Sequence, residues 1–294
     1  MRITVLGGSG FLGSHVADHL ADSGHEVVIF DRDRSKWMRP DQTMVEGDIL
    51  NYEAVAKATE GSEAIFNFAA IADIDEAKNS PSRSAEINIL GNINALRACH
   101  ENKVRRFVLA STLYVYSDAG SFYRCTKQAA ESYTEEFWNE FGVAYTILRY
   151  GSLYGPRSDA RNGLRQMVTR AVSQGELSYV GSPSATREYI HVDDAAAASV
   201  ACLAPEFANR QLIISGQQTT QVKELLEMLA EILGMDPASI LFHDASDPGH
   251  YVRTPYAHRS KLAKKLIPNL AVDLGQGLVE LVRDIEREVG RSKD

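Results

Sequence analysis

The opening of the chain limits its fold more than any other stretch. Arg2-Ile3-Thr4-Val5-Leu6 is a short apolar β run that breaks at once into Gly7-Gly8-Ser9-Gly10-Phe11-Leu12-Gly13. A helical pattern then follows at Phe11, Leu12, His15, Val16, His19 and Leu20. A strand that feeds a helix through a turn free of side chains suits a pyrophosphate. Phosphate oxygens can approach backbone N–H groups there, and the helix N-terminus favours negative charge. The glycines have separable tasks. Gly7 makes the tight turn, Gly10 clears space for the pyrophosphate, and Gly13 lets the helix pack closely on the strand. The GxxGxxG spacing is a variant of the dinucleotide fingerprint, although a ligand-free glycine-rich βα turn would read the same way.

The next elements favour the dinucleotide. His25-Glu26-Val27-Val28-Ile29-Phe30 reads as a second strand ending in Asp31, close to where a carboxylate meets the adenosine ribose hydroxyls. Asp31 would repel a ribose 2′-phosphate, which favours NAD over NADP, while the adjacent Arg32 partly offsets that repulsion. A plain turn residue at a strand end is the alternative for Asp31. Strands are then expected at 43–48, 64–70, 106–110 and 144–149, and helices at 53–59, 84–102 and 123–141. Repeated βα units with apolar strands imply an α/β doubly wound parallel sheet with ligands at the carboxyl ends of its strands. After Tyr154-Gly155-Pro156 the rhythm changes. Residues 1–155 are therefore expected to form the dinucleotide-binding domain, with 187–215 returning to it. Residues 156–186 and 216–294, including helical stretches at 222–233 and 278–289, would form a smaller substrate-binding lobe.

Composition narrows the partners. A chain of 294 residues, 44% apolar, can bury a sizeable core, and its net charge of -8 is spread without acidic or basic blocks. That distribution argues against a nucleic-acid surface. Cys99, Cys125 and Cys202 lack metal-type spacing and fit a reducing compartment. The N-terminus enters a strand with no signal pattern, and the run Ala195 to Ala204 is too short to span a bilayer, so a cytoplasmic protein is expected. No metal site is expected, since the histidines and carboxylates show no ligand spacing.

Chemistry concentrates after the fifth strand, which ends in Ser111-Thr112 and is followed by Tyr123-Arg124-Cys125-Thr126-Lys127. A Tyr and a Lys four apart share one helix face, so the ammonium can sit beside the phenol and lower a pKa that is ordinarily about 10. Tyr123 could then exchange a proton with a sugar hydroxyl while a nicotinamide takes the hydride, with Thr112 bonded to the same oxygen. A plain surface pair is the alternative.

Together these segments resemble the NAD-dependent sugar epimerase/dehydratase family of extended short-chain dehydrogenases/reductases, from the first strand to about residue 200. Further matches are Gly47-Asp48-Ile49, Ala69-Ala70, Asn79-Ser80-Pro81, Asn88-Ile89-Leu90-Gly91-Asn92, Val115-Tyr116, Arg149 to Pro156, and Arg187-Glu188-Tyr189-Ile190-His191-Val192-Asp193-Asp194. The resemblance implies a Rossmann-type sheet, with Tyr123 as base, Lys127 as its partner and Thr112 as the second hydroxyl. It implies cofactor contacts from Gly7, Gly10, Phe11, Leu12, Gly13, Asp31, Arg32, Asp48, Ile49, Ala69, Ala70, Asn88, Tyr123, Lys127 and Tyr150. Arg187, Arg253 and Asn162 would bind the substrate, the arginines at its diphosphate. Ion pairing of Arg187 with Glu188, and a solvated Arg253, are the alternatives.

Three departures bear on specificity. The loop before the catalytic tyrosine is only Ser117 to Phe122; Ser152 and Asn67 stand where the family has Asn and His; and Leu113-Tyr114 replaces the acid pair of the dehydratases. The expected activity is NAD-dependent C4 epimerisation of a UDP-sugar through a 4-keto intermediate, by a homodimer. The alternatives are an NAD(P)-dependent reductase or dehydrogenase of a sugar nucleotide or small carbonyl compound, and a non-catalytic NAD-binding regulatory protein.

Overall fold

The computed structural model describes residues 1–243, all within the compact unit Met1–His258. Arg253 and the helix expected at 278–289 lie outside the described residues. Strands β1 (Arg2–Leu6), β2 (Glu26–Asp31), β3 (Gln42–Glu46), β4 (Ala64–Asn67), β5 (Arg106–Thr112) and β6 (Tyr145–Tyr150) are interleaved with helices. These are α1 (Phe11–Asp22), α2 (Tyr52–Ala58), α3 (Ile74–Asn79), α4 (Pro81–Ala85), α5 (Gly91–Glu101) and α6 (Ser121–Phe141). Beyond them come β7 (Ser152–Tyr154), α7 (Gly163–Gln174), β8 (Ser178–Val180), β9 (Thr186–Arg187), β10 (Tyr189–His191), α8 (Val192–Ala201), β11 (Arg210–Ile214), β12 (Thr220–Gln221), α9 (Val222–Leu233) and β13 (Leu241–His243).

Seven strands form one all-parallel sheet in the order β11-β6-β5-β4-β1-β2-β3. The order reverses at β1, so the crevice between the carboxyl ends of β1 and β4 is the switch point where a doubly wound sheet takes a ligand. Helices cover both faces, which explains why the strands read as unbroken apolar runs. Ile3, Val5, Phe66, Val108 and Leu148 meet Leu12, Val16 and Leu20 of α1 and Ala195 and Ala196 of α8 on one face. Leu6, Phe30, Ile65, Phe107 and Ile147 meet Val55 of α2, Ala95 and Leu96 of α5 and Ala130 of α6 on the other. Each large side chain so buried contributes about 1.5–3 kcal/mol.

Of the strands expected to return from 187–215, β11 does so by pairing with β6. The segment around Arg187 does not: β9 pairs with β12 and β10 with β7, outside the main sheet. The helix expected over 84–102 instead begins at Pro81, where a missing N–H costs nothing, and passes through a π-helical turn at Glu86–Leu90 before α5. Helix α3 is an element not among those expected from the sequence. The Asp73 carboxylate caps it by accepting from the Glu76 N–H at 2.7 Å.

Candidate active site

The turn after β1 has the geometry its glycines suggest. Gly7 has φ +78°, and a Cβ there would meet the Ala69 nitrogen at 2.4 Å. A Cβ on Gly13 would meet the Gly7 carbonyl oxygen at 2.3 Å, so α1 packs against the turn only because that residue has no side chain. Gly10 differs: a Cβ on it would approach only the Gly7 oxygen, at 3.3 Å, and so faces open space. Gly10 is also the N-cap of α1, without a side-chain cap. An open glycine before an uncapped helix N-terminus fits a pyrophosphate.

Asp31 ends β2 beside this turn. Its carboxylate accepts from the Ser9 N–H at 3.0 Å and the Asp33 N–H at 3.3 Å, which ties the strand end to the glycine loop and leaves acceptor capacity for ribose hydroxyls. Arg32 is exposed and pairs with Asp33 at 3.5 Å. Asp48 accepts from the Leu50 N–H at 2.9 Å, and Ile49 is buried against Gly91. Phe11 sets its ring edge-on to His15, Leu12 packs into the core, and Ala69 and Ala70 are half-buried after β4.

The carboxyl end of β5 lies two strands from that of β1 in a parallel sheet, roughly 10 Å along the hydrogen-bonding direction. Here Thr112 is buried, and α6 brings Tyr123 and Lys127 against it. The Lys127 ammonium donates to the Ala110 carbonyl at 2.8 Å and stands 5.9 Å from the centre of the Tyr123 ring. Burial lowers the Lys127 pKa to about 8, with Glu131 opposing the shift. The expectation that this ammonium lowers the phenol pKa is corrected. Burial pushes Tyr123 up to about 12, and the hydrogen bond with Thr112 is what pulls it down. Desolvation is the largest cause of both shifts.

Asn88 clamps the site from behind. It accepts from the Ile71 N–H at 2.7 Å and donates to the Ile71 carbonyl at 3.0 Å and to Thr126 Oγ1 at 2.9 Å, joining the loop after β4 to α6. Four residues on, Asn92 accepts from Asn67 at 2.9 Å and donates to the Ala130 carbonyl at 3.3 Å. The Tyr150 hydroxyl is engaged inside the core by Ser199 Oγ at 2.7 Å, and its ring packs near Phe68.

On the other side of the cleft, Asn162 caps α7 by accepting from the Arg165 N–H at 3.1 Å, and it donates to the Leu153 carbonyl at 3.0 Å. It lines a cavity of about 890 Å³ with Tyr154, Arg165, Val168, Tyr189 and Leu229. Arg187 is buried and donates to the Thr186 carbonyl, while Glu188 accepts from Ser215 and Thr219. His15, His19 and His191 converge on Asp193, at 2.7, 4.0 and 3.6 Å, a grouping that their spacing in the chain does not reveal. Among the described residues no cluster of His, Cys, Asp and Glu is suited to hold a metal. Glu131 was also missed, although its spacing from Lys127 puts it on the face that carries the phenol.

The sequence model of the NAD dependent epimerase/dehydratase family matches residues 3–214. A putative UDP-glucose 4-epimerase of Methanocaldococcus jannaschii is 26% identical over 95% of this chain and 97% of its own length. The crystal structure of the Thermotoga maritima UDP-glucose 4-epimerase with UDP-glucose superposes with a TM-score of 0.79 at 28% identity, covering 88% of this chain and 90% of that one. A dTDP-glucose 4,6-dehydratase of Streptomyces venezuelae, solved with NAD bound, also gives 0.79 at 26% identity, covering 96% of both chains.

Proposed function

Because this chain belongs to the NAD dependent epimerase/dehydratase family, we propose that it is a nucleotide-sugar 4-epimerase acting on a UDP-sugar through a 4-keto intermediate. The observation that carries the choice of epimerase over dehydratase is the pair that follows Thr112. Leu113 is fully buried, and the Tyr114 ring stands edge-on to Tyr123 at 6.4 Å, so neither supplies a carboxyl group at the sugar. Eliminating water needs such an acid and base, whereas epimerisation needs only one group that takes a proton and returns it.

NAD, when bound, supplies the acceptor and donor of the C4 hydride. The chain's own residues do the rest. The turn Gly7–Gly13 cradles the pyrophosphate and Asp31 holds the adenosine ribose, with Asp48, Ile49, Ala69 and Ala70 flanking it. Tyr123, as its phenolate, takes the C4 hydroxyl proton and becomes a neutral phenol, Thr112 bonds the same oxygen, and Lys127 offsets the phenolate charge until the proton arrives. Arg187 and Asn162 lie on the side of the uridine diphosphate. Exposed Phe122 and Tyr133, eleven residues apart on one face of α6, offer an apolar contact for a second copy of the chain. Among the described residues no helix is long and apolar enough to cross a membrane.

The test is incubation of the purified full chain with NAD and a panel of UDP-sugars, with chromatography of the products. A C4 epimer with NAD recycled is the expected result, and it disappears in Tyr123→Phe. Stoichiometric NADH would point to the reductase reading, which the short wall Ser117–Gly120 before α6 favours by leaving the site more open.

A further inference from the structure

On α6, Tyr123, Lys127 and Glu131 follow at four-residue intervals and share one face. Each meets one of three consecutive residues at the end of β5. Tyr123 meets the Thr112 hydroxyl, Lys127 donates to the Ala110 carbonyl at 2.8 Å, and Ser111 Oγ donates to Glu131 Oε1 at 2.5 Å. Glu131 is only 7% exposed, and a guanidinium fork holds it from the far side. Arg149 Nε donates to Oε1 at 3.0 Å and Nη2 to Oε2 at 2.6 Å. Arg149 is the residue opposite Ser111 across the β5–β6 ladder. Its guanidinium lies 4.7 Å over the Tyr116 ring and donates to the Tyr116 hydroxyl.

A buried ion pair is a poor source of stability, since a well-packed apolar pair of the same volume does as well or better. What this pair supplies is location: a carboxylate fixed from β5 and β6, one turn beyond the catalytic ammonium. We propose that Glu131 is a positioning residue: clamped by Ser111 and Arg149, it sets the height of α6 along β5 and keeps a negative charge behind Lys127, so that Tyr123 and Lys127 act as one unit. This rests on the catalytic roles given to Tyr123 and Lys127 above.

The charged and titratable groups recorded against Lys127 are Tyr123 and Glu131, both on α6; Glu131 is paired in turn with Arg149 on β6, whose guanidinium meets Tyr116 on the turn between β5 and α6. Removing the Glu131 charge takes away the attraction that opposes desolvation of Lys127, so the ammonium gives up its proton at lower pH. The test is a titration of the Lys127 Nζ signal by ¹⁵N NMR in the full chain, assigned with Lys127→Arg, for Glu131→Gln and for the double variant Glu131→Gln/Arg149→Met. The double variant leaves no unpaired buried charge and so guards against collapse of the single one. Both are expected to lower the Lys127 midpoint by about one pH unit. On the sugar nucleotide that the parent converts, both are expected to lower kcat about 10-fold or more with KM within about 2-fold, the pattern of lost transition-state positioning. Folded variants with the parental midpoint and kcat would overturn the proposal. If the parent converts no sugar nucleotide, the functional reading fails while the midpoint still decides the role of Glu131.

Discussion

The sheet and the segment beyond Tyr150 are built on different terms. In the sheet, seven strands share two continuous cores, and the residues between β1 and β6 that face them are almost wholly buried. Beyond Tyr150, apart from β11, the strands form isolated pairs, β7 with β10, β9 with β12 and β8 with β13. The third core there is small, and Val172 and Ile232 remain 70% and 78% exposed. The two regions meet at His15 of α1, which bonds the Asp193 carboxylate at 2.7 Å and the Pro156 carbonyl at 3.1 Å. Groups whose placement must hold to a fraction of an ångström, Thr112, Tyr123 and Lys127, stand on the densely packed side. The groups proposed to bind the substrate stand on the side that tolerates change.

Substitutions on the sheet side should therefore affect chemistry and fold, and those beyond Tyr150 should affect affinity. The largest effect is expected from Tyr123→Phe, which keeps the packing and removes the proton: kcat falls about 10³-fold or more in steady-state assays while circular dichroism stays native. Gly13→Val comes next, because its side chain would displace the Gly7 carbonyl. NAD affinity measured by calorimetry should fall about 100-fold, with lowered thermal stability.

Lys127 provides a third test, through stability. Its folded pKa of about 8 lies below the ordinary 10.5, so between these values the unfolded chain holds more protons than the folded one. Stability must then rise with pH across that window. In urea denaturation, Lys127→Met should exceed the parent by on the order of 2 kcal/mol at pH 7, and the gap should narrow by pH 10. The smallest effect is expected from Asn162→Ala beyond Tyr150. Loss of the α7 cap costs about 1 kcal/mol locally, and KM for the sugar nucleotide should rise a few-fold with kcat unchanged. A kcat loss there as large as that of Tyr123→Phe would erase the contrast between the two regions.

Much of this was legible in the sequence where the physics is local. Short unbroken apolar runs marked β1 to β6, period-3.6 patterns marked most of the helices between them, and the glycine spacing marked a turn whose φ and close approaches leave no room for side chains. Tyr123 and Lys127 were visible because a helix puts residues four apart on one face. Long-range pairing was not legible. Nothing near Arg187 says that its strand joins β12 rather than the main sheet, because two-residue strands carry no periodicity. The π-helical turn that aims Asn88 at Ile71 and Thr126 left no trace in composition. The clamp of Ser111, Glu131 and Arg149 joins three elements, and only its position on the α6 face could have been read in advance. The upward shift of the Tyr123 pKa is illegible for a related reason: spacing shows a neighbouring cation but not the burial that raises it.

The central claim is that one phenol, on a helix docked against β5, moves the C4 hydroxyl proton while the hydride leaves the sugar and returns to it. It is tested most directly by giving the protein the UDP-sugar it converts, with deuterium at C4. Deuterium retained at C4 of the epimer, with no NADH accumulating and no conversion by Tyr123→Phe, is the predicted result. Deuterium lost to water or to free NADH, or conversion that persists without the phenol, would contradict it.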